Sequence, residues 1–125
     1  MICMKKKDPF SIRARGRSLK YAMAGIRDFF GSQHNALIHL LATTTVLLLA
    51  IVVHVSVLEM IALVVAAGFV WTAELLNTAI EGVMDFISDK QDDRIRYIKD
   101  LSAAAVLVAA ITAMVVGCLV FIPKI

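Results

Sequence analysis

Three apolar runs, each long enough to cross a bilayer, follow a shorter amphipathic stretch in this chain. From Phe10 to about Gly31, apolar residues recur at steps of three and four: Leu19, Ala22, Met23, Ile26, Phe29 and Phe30. Arg13, Arg17, Lys20 and Arg27 are interspersed on the other side. A cationic amphipathic helix next to membrane spans predicts an element lying in the interface. Gly31-Ser32 breaks that pattern. A first span is predicted over 36–53, with a tight exit at Val55, Ser56 and Val57. A second is predicted over 58–85, longer than a bilayer requires, and a third over 101–122, ended by Pro123. The polar loop from Ser88 to Arg94 separates the last two. Residues 1–9 read as a basic arm.

The second span is not uniformly apolar. Glu74, Asn77, Glu81 and Asp85 follow one another at steps of three, four and four. At about 100° per residue they fall within an arc of roughly 80°. Leu75, Leu76, Ala79, Ile80 and Val83 occupy the rest of the circumference. A carboxylate near mid-membrane costs about 2.5–3.5 kcal/mol on insertion scales, so such a stripe needs partners or water. Ionisable residues within a membrane are functional candidates by default. His39, alone near the start of the first span, reads as a packing residue.

Composition agrees with a membrane protein. Of the 125 residues, 60% are hydrophobic and 18% charged, far too apolar for a soluble domain of this size. A chain this short makes one domain. The net charge of +3 is small but unevenly placed, and no nucleic-acid partner is expected. Lys and Arg crowd the N-terminal region and the second loop (Lys90, Arg94, Arg96, Lys99), while the loop between spans one and two has neither. The basic-residue rule therefore puts the N-terminus and second loop in the cytoplasm and the C-terminus outside. No apolar core follows Lys5-Lys6-Lys7 at signal-peptide distance, so no cleaved leader is expected. Cys3 and Cys118 match no metal or redox spacing. On the third span, Ala105, Ala109, Ala113 and Gly117 form a small-residue face that allows close helix packing. Three helices alone would shield the acidic stripe poorly, which predicts a homo-oligomer.

A carboxylate at the membrane border can act as general base toward a lipid hydroxyl. A second one a turn or two along can hold a divalent cation through oxygen, as magnesium prefers. Lys99, at the start of the third helix, can meet phosphate oxygens. Neither G-x-x-x-x-G-K-[ST] nor a kinase Gly-rich loop is present. From the residues alone, a lipid-modifying enzyme and an ion-coupled transporter subunit both stay open.

The run Glu74-x-x-Asn77-x-x-x-Glu81-x-x-x-Asp85, followed by Lys99-Asp100-x-x-Ala103-Ala104-Ala105-Val106-Leu107, resembles the prokaryotic diacylglycerol kinase family. Arg17-Ser18-Leu19-x-x-Ala22-x-x-Gly25-Ile26 and Asn35-x-x-Ile38-His39 are similar to its undecaprenol kinase branch. The resemblance implies an all-α homotrimer of three-span chains, each with an N-terminal surface helix and with sites shared between subunits. It implies transfer of the ATP γ-phosphoryl group to a lipid alcohol, undecaprenol or diacylglycerol, with Mg²⁺. By position, Glu74 matches the catalytic base and Glu81 the metal- and nucleotide-binding glutamate. Asn77, Lys90, Gln91, Asp92, Lys99, Asp100, Arg17 and Tyr21 match nucleotide-contacting positions. Arg17, Glu74 and Ala103 match the lipid-substrate side. Gln33 stands where the family usually has a second metal-binding glutamate, so it keeps a neutral oxygen ligand and loses the charge. Leu37 replaces a basic residue common in the undecaprenol branch. A catalytically impaired scaffold of the same family is the alternative that Gln33 raises.

Overall fold

The computed structural model describes residues 9–125, and the basic arm expected over 1–9 falls almost wholly outside them. The described chain is all helical: α1 (Ile12–Ser32), α2 (His34–Val52), α3 (Val57–Ile87) and α4 (Asp93–Phe121), closed by a short 3₁₀ turn at Ile122–Lys124. The chain divides into two units, 1–34 and 35–125.

In the first unit, Ser11 caps α1, its hydroxyl accepting from the Ala14 amide at 3.4 Å. The helix stops at Gln33, whose extended backbone still donates its N–H to the Phe29 carbonyl at 3.1 Å. Arg17 and Tyr21, one turn apart on α1, are exposed.

The second unit holds the spans. Helices α2, α3 and α4 are each long and apolar enough to cross a membrane. At 1.5 Å per residue, the 31 residues of α3 measure about 46 Å against a hydrocarbon core of about 30 Å, so one end projects beyond the apolar layer. Helix α3 begins with a capping box: the Ser56 hydroxyl accepts from the Glu59 amide at 3.2 Å, and the Ser56 amide donates to Glu59 Oε2 at 2.7 Å. Helix α2 ends in a Schellman turn. Val55 N–H reaches the Ala50 carbonyl at 3.1 Å, His54 N–H reaches Ile51 at 3.2 Å, and His54 sits at φ 54°. At this end of the unit Ala50, Leu63 and Val120 form an apolar core, with Val46, Val55, Met60, Val116 and Phe121 around it. Lys124 and Glu59 close it at 3.1 Å.

Helices α3 and α4 pack most extensively. Leu63, Ala66, Val70 and Glu74 are the buried residues of α3, spaced by three and four along its inward face. On α4, Ala109 is completely buried, whereas Ala105 is exposed and Ala113 and Gly117 line an apolar cavity with Leu63 and Val70. Large apolar side chains on the remaining faces (Leu41, Leu48, Val65, Leu76, Leu107 and Leu119) are exposed, as suits lipid or a neighbouring chain.

Candidate functional site

The polar stripe on α3 does not act as one surface. Its members turn to different neighbours. Glu74 is almost fully buried, with 7% of its surface exposed, and faces α2, where His39 Nε2 lies 2.7 Å from Glu74 Oε1. Directly beside this pair, Trp71 Nε1 donates to Thr43 Oγ1 at 3.1 Å. The Trp71 and His39 rings meet edge to face, with centroids 6.1 Å apart. Two rungs, Thr43–Trp71 and His39–Glu74, thus tie α2 to α3, because i,i+4 on one helix and i,i+3 on the other place each pair on one face.

The next turn of α3 faces α4. Ser102 Oγ donates to Asn77 Oδ1 at 2.6 Å. Asn77 presents its amide nitrogen to Glu81 and donates to Oε1 at 3.2 Å. The Glu81 carboxylate, which only accepts, sets which way the Asn77 amide points, and the buried Ser102 hydroxyl, also 3.0 Å from the Lys99 carbonyl, meets its oxygen. Another turn along, Asp85 accepts a hydrogen bond from Lys99 Nζ, joining the two helices again.

Beyond Asp85 the helices separate into a cleft of about 450 Å³. It is lined by Asp85, Ser88, Asp89, Lys90, Gln91, Asp92, Asp93, Ile95, Arg96, Lys99 and Asp100. Carboxylates outnumber basic groups in this wall. Asp92 caps α4 at its edge, Oδ1 accepting from the Arg94 amide at 2.8 Å. That backbone hydrogen bond, reinforced by the Arg94 side chain, holds the Asp92 carboxyl below its ordinary value of 3.8. The cap therefore strengthens the fold above that value and is lost as pH falls through the lowered one.

Of the residues singled out in the sequence, Lys90, Gln91, Asp92, Lys99 and Asp100 share this cleft. Asn77 and Glu81 lie on the α3 turns leading to it, and Glu74 lies deeper, about 10 Å from Glu81 at 1.5 Å per residue. Ala103 is exposed on α4. Arg17, Tyr21 and Gln33 belong to the other unit. Two residues were missed. Ser102 is the one hydroxyl in the small-residue stretch that follows Lys99-Asp100, which marks the face of α4 turned to Asn77. His39, read as packing, is the direct partner of Glu74. Its signals in the sequence were its place in the Asn35-x-x-Ile38-His39 stretch and Thr43 one turn on, which extends the polar face of α2. The expectation that three helices shield the stripe poorly fails at Glu74, which one chain already buries, and holds further along, where Asn77 and Glu81 are half-buried and Asp85 stays exposed although paired.

Among the described residues, no three His, Cys, Asp or Glu side chains gather as a metal site. Asn77 turns its nitrogen to Glu81, so the hard-cation donor there is the Glu81 carboxylate itself, and magnesium commonly uses one or two carboxylates plus substrate phosphates. The residues present fit that mode and do not form an all-protein cage.

A family model described as prokaryotic diacylglycerol kinase matches residues 20–121. This chain belongs to the prokaryotic diacylglycerol kinase family. An undecaprenol kinase of Bacillus subtilis is 34% identical over 108 residues, covering 86% of this chain and 88% of that protein. A diacylglycerol kinase of Synechocystis is 35% identical over 107 residues, 85% of this chain and 61% of its own length. The diacylglycerol kinase of Escherichia coli K12 is 34% identical over 76 residues, 58% of this chain and 62% of that protein. As a member of this kinase family the chain is an enzyme, and its three apolar helices make it a membrane protein.

Proposed function

We propose that this kinase transfers the γ-phosphoryl group of ATP to the hydroxyl of a membrane lipid alcohol, at the cytoplasmic border of a bacterial inner membrane. The observation that carries the reading is a polar sequence along one helix: buried Glu74, then Asn77 and Glu81, then the cleft beyond Asp85. It offers a buried acid within an apolar span and a charged cleft open to water beyond it. Such a placement suits a reaction whose two substrates come from different phases. The relatives are named for undecaprenol and diacylglycerol. Either alcohol is proposed as acceptor, undecaprenol first, because that relative matches along nearly its whole length.

In the proposed mechanism Glu74 accepts the hydroxyl proton as the lipid oxygen attacks the γ-phosphorus. The bond to the β–γ bridging oxygen breaks and ADP leaves. Catalysis of this kind is mainly alignment and charge neutralisation. Lys99, released from Asp85, reaches the phosphate oxygens, and Asp100, Lys90, Gln91 and Asp92 line the nucleotide's place. Glu81, held by Asn77, would bind Mg²⁺ together with the nucleotide phosphates, with Gln33 as a neutral ligand; bound there, the ion supplies positive charge against the triphosphate. A cleft wall rich in carboxylates supports this, since it repels a bare triphosphate and accepts a cation-bridged one. Arg17 and Tyr21 on α1, as a surface helix, and Ala103 on α4 complete the proposed nucleotide and lipid contacts.

The test is phosphoryl transfer from labelled ATP in mixed micelles, with undecaprenol and diacylglycerol assayed side by side. Glu74→Gln abolishes turnover while ATP binding survives, because an amide cannot take the proton. Near-parental turnover in that variant removes Glu74 from the role of base. A parent protein silent toward both alcohols overturns the kinase assignment to these acceptors.

A further inference from the structure

We infer that His39 is a positioning residue for the phosphoryl transfer: it donates Nε2–H to Glu74 Oε1 and so leaves Oε2 turned to take the substrate proton. This inference rests on the reading of Glu74 as the base. The contact itself is direct. His39 Nε2 and Glu74 Oε1 are 2.7 Å apart, the short end of the range for a hydrogen bond to a charged acceptor. Glu74 is buried in a membrane span, where a lone carboxylate is costly and needs a donor. His39 supplies one from the facing helix.

The imidazole is itself fixed. Trp71 meets it edge-on, and Trp71 is anchored to α2 through Thr43. The ring therefore has little freedom to swing from the carboxylate. A carboxylate has two oxygens, and a donor locked on one of them defines the plane and direction of the other. For a base that must collect a proton from a lipid hydroxyl, that constraint removes orientational freedom before the substrate arrives. Deeper in the same helix group, an apolar cavity of about 190 Å³ has His39 and Thr43 in its wall, along with Val46, Leu63, Val70 and Ala113. The pair thus stands where apolar interior meets the polar steps toward Asn77 and Glu81.

The proposal differs from a proton relay. A relay would need Nε2 without its proton, ready to accept. Positioning needs Nε2 protonated, and needs only a donor there. Glutamine at residue 39 can place an amide N–H near the Nε2 position but cannot relay a proton. Leucine can do neither.

The experiment compares His39→Gln and His39→Leu in the full-length protein, in mixed micelles, with kcat and KM for ATP measured separately. The expected result is a kcat for His39→Gln within about threefold of the parent. His39→Leu should lose about 10- to 100-fold in kcat, the range for removing a hydrogen bond to a charged group, with KM for ATP unchanged. ¹⁵N spectra of histidine-labelled parent protein, with His39 assigned by its loss in His39→Gln, should show a proton-bearing Nε2. A parental kcat in His39→Leu, an equal loss in both variants, or a bare Nε2 overturns the proposal. If His39→Leu does not fold, the His39→Gln rate and the nitrogen spectrum still decide it. Turnover surviving in Glu74→Gln would instead bring down the reading of the base, whereas a silent Glu74→Gln beside a fully active His39→Leu brings down this inference alone.

Discussion

At the residue scale, His54 shows how a local rule can be broken for a positional reason. A helix ending in a Schellman turn wants glycine at the left-handed position, and here histidine occupies it at φ 54°. Histidine tolerates that region better than most residues, but its Cβ still crowds the backbone. His54→Gly should therefore stabilise the protein by about 0.5–1 kcal/mol, seen as a higher melting temperature in detergent. A lower one would mean that the imidazole makes a contact outweighing the strain. Glu74 teaches the converse. Its importance was legible from composition alone, since an acid in an apolar run is expensive. Its partner was not, because nothing in a linear sequence sets residue 39 opposite residue 74.

At the element scale, the periodicity of α3 predicted a polar face but treated it as one surface. Packing divides it: Glu74 meets α2, while Asn77 and Asp85 meet α4. An arc of roughly 80° is wide enough to touch two neighbours when both lie against the same helix. The small-residue face of α4 is uneven: Ala109 is buried within the unit, Ala105 is exposed, and Ala113 and Gly117 border a cavity. Ala109 has no exposed surface, so Ala109→Leu should overpack the seam and destabilise by about 1–3 kcal/mol. Ala104→Leu, at an exposed position of the same helix, should leave the melting curve unchanged. Equal melting of the Ala109 variant and the parent would show that the seam loosens to admit the larger side chain.

At the scale of the whole molecule, the proposals of a homotrimer and of sites shared between subunits stand together. One chain already covers Glu74, so burial of that acid is not what demands a partner. The support is the wide apolar surface that remains on all three spans, and the exposure that Asp85 keeps within one chain. If each site takes Glu74 from one subunit and Glu81 from the next, two inactive proteins should complement. Equal mixing of Glu74→Gln and Glu81→Ala subunits before reassembly should restore roughly a quarter of parental turnover, the fraction of neighbouring pairs with both groups intact. No recovery would place Glu74 and Glu81 of one chain in one site.

By itself the sequence determined what depends on composition and period. Apolar runs of sufficient length become helices in lipid, because backbone groups have no other partners there, and the stripe on α3 follows from 3.6 residues per turn. The acids, the amide and the lysine that the family motif carries were equally visible. What only the tertiary structure decided is pairing across helices: His39 on Glu74, Ser102 on Asn77, Lys99 with Asp85, and the cleft where α3 and α4 separate. Each such contact depends on the rotation and offset of two helices about their own axes. Those are set by how all the side chains of the seam fit together, and no single residue's chemistry or spacing encodes them.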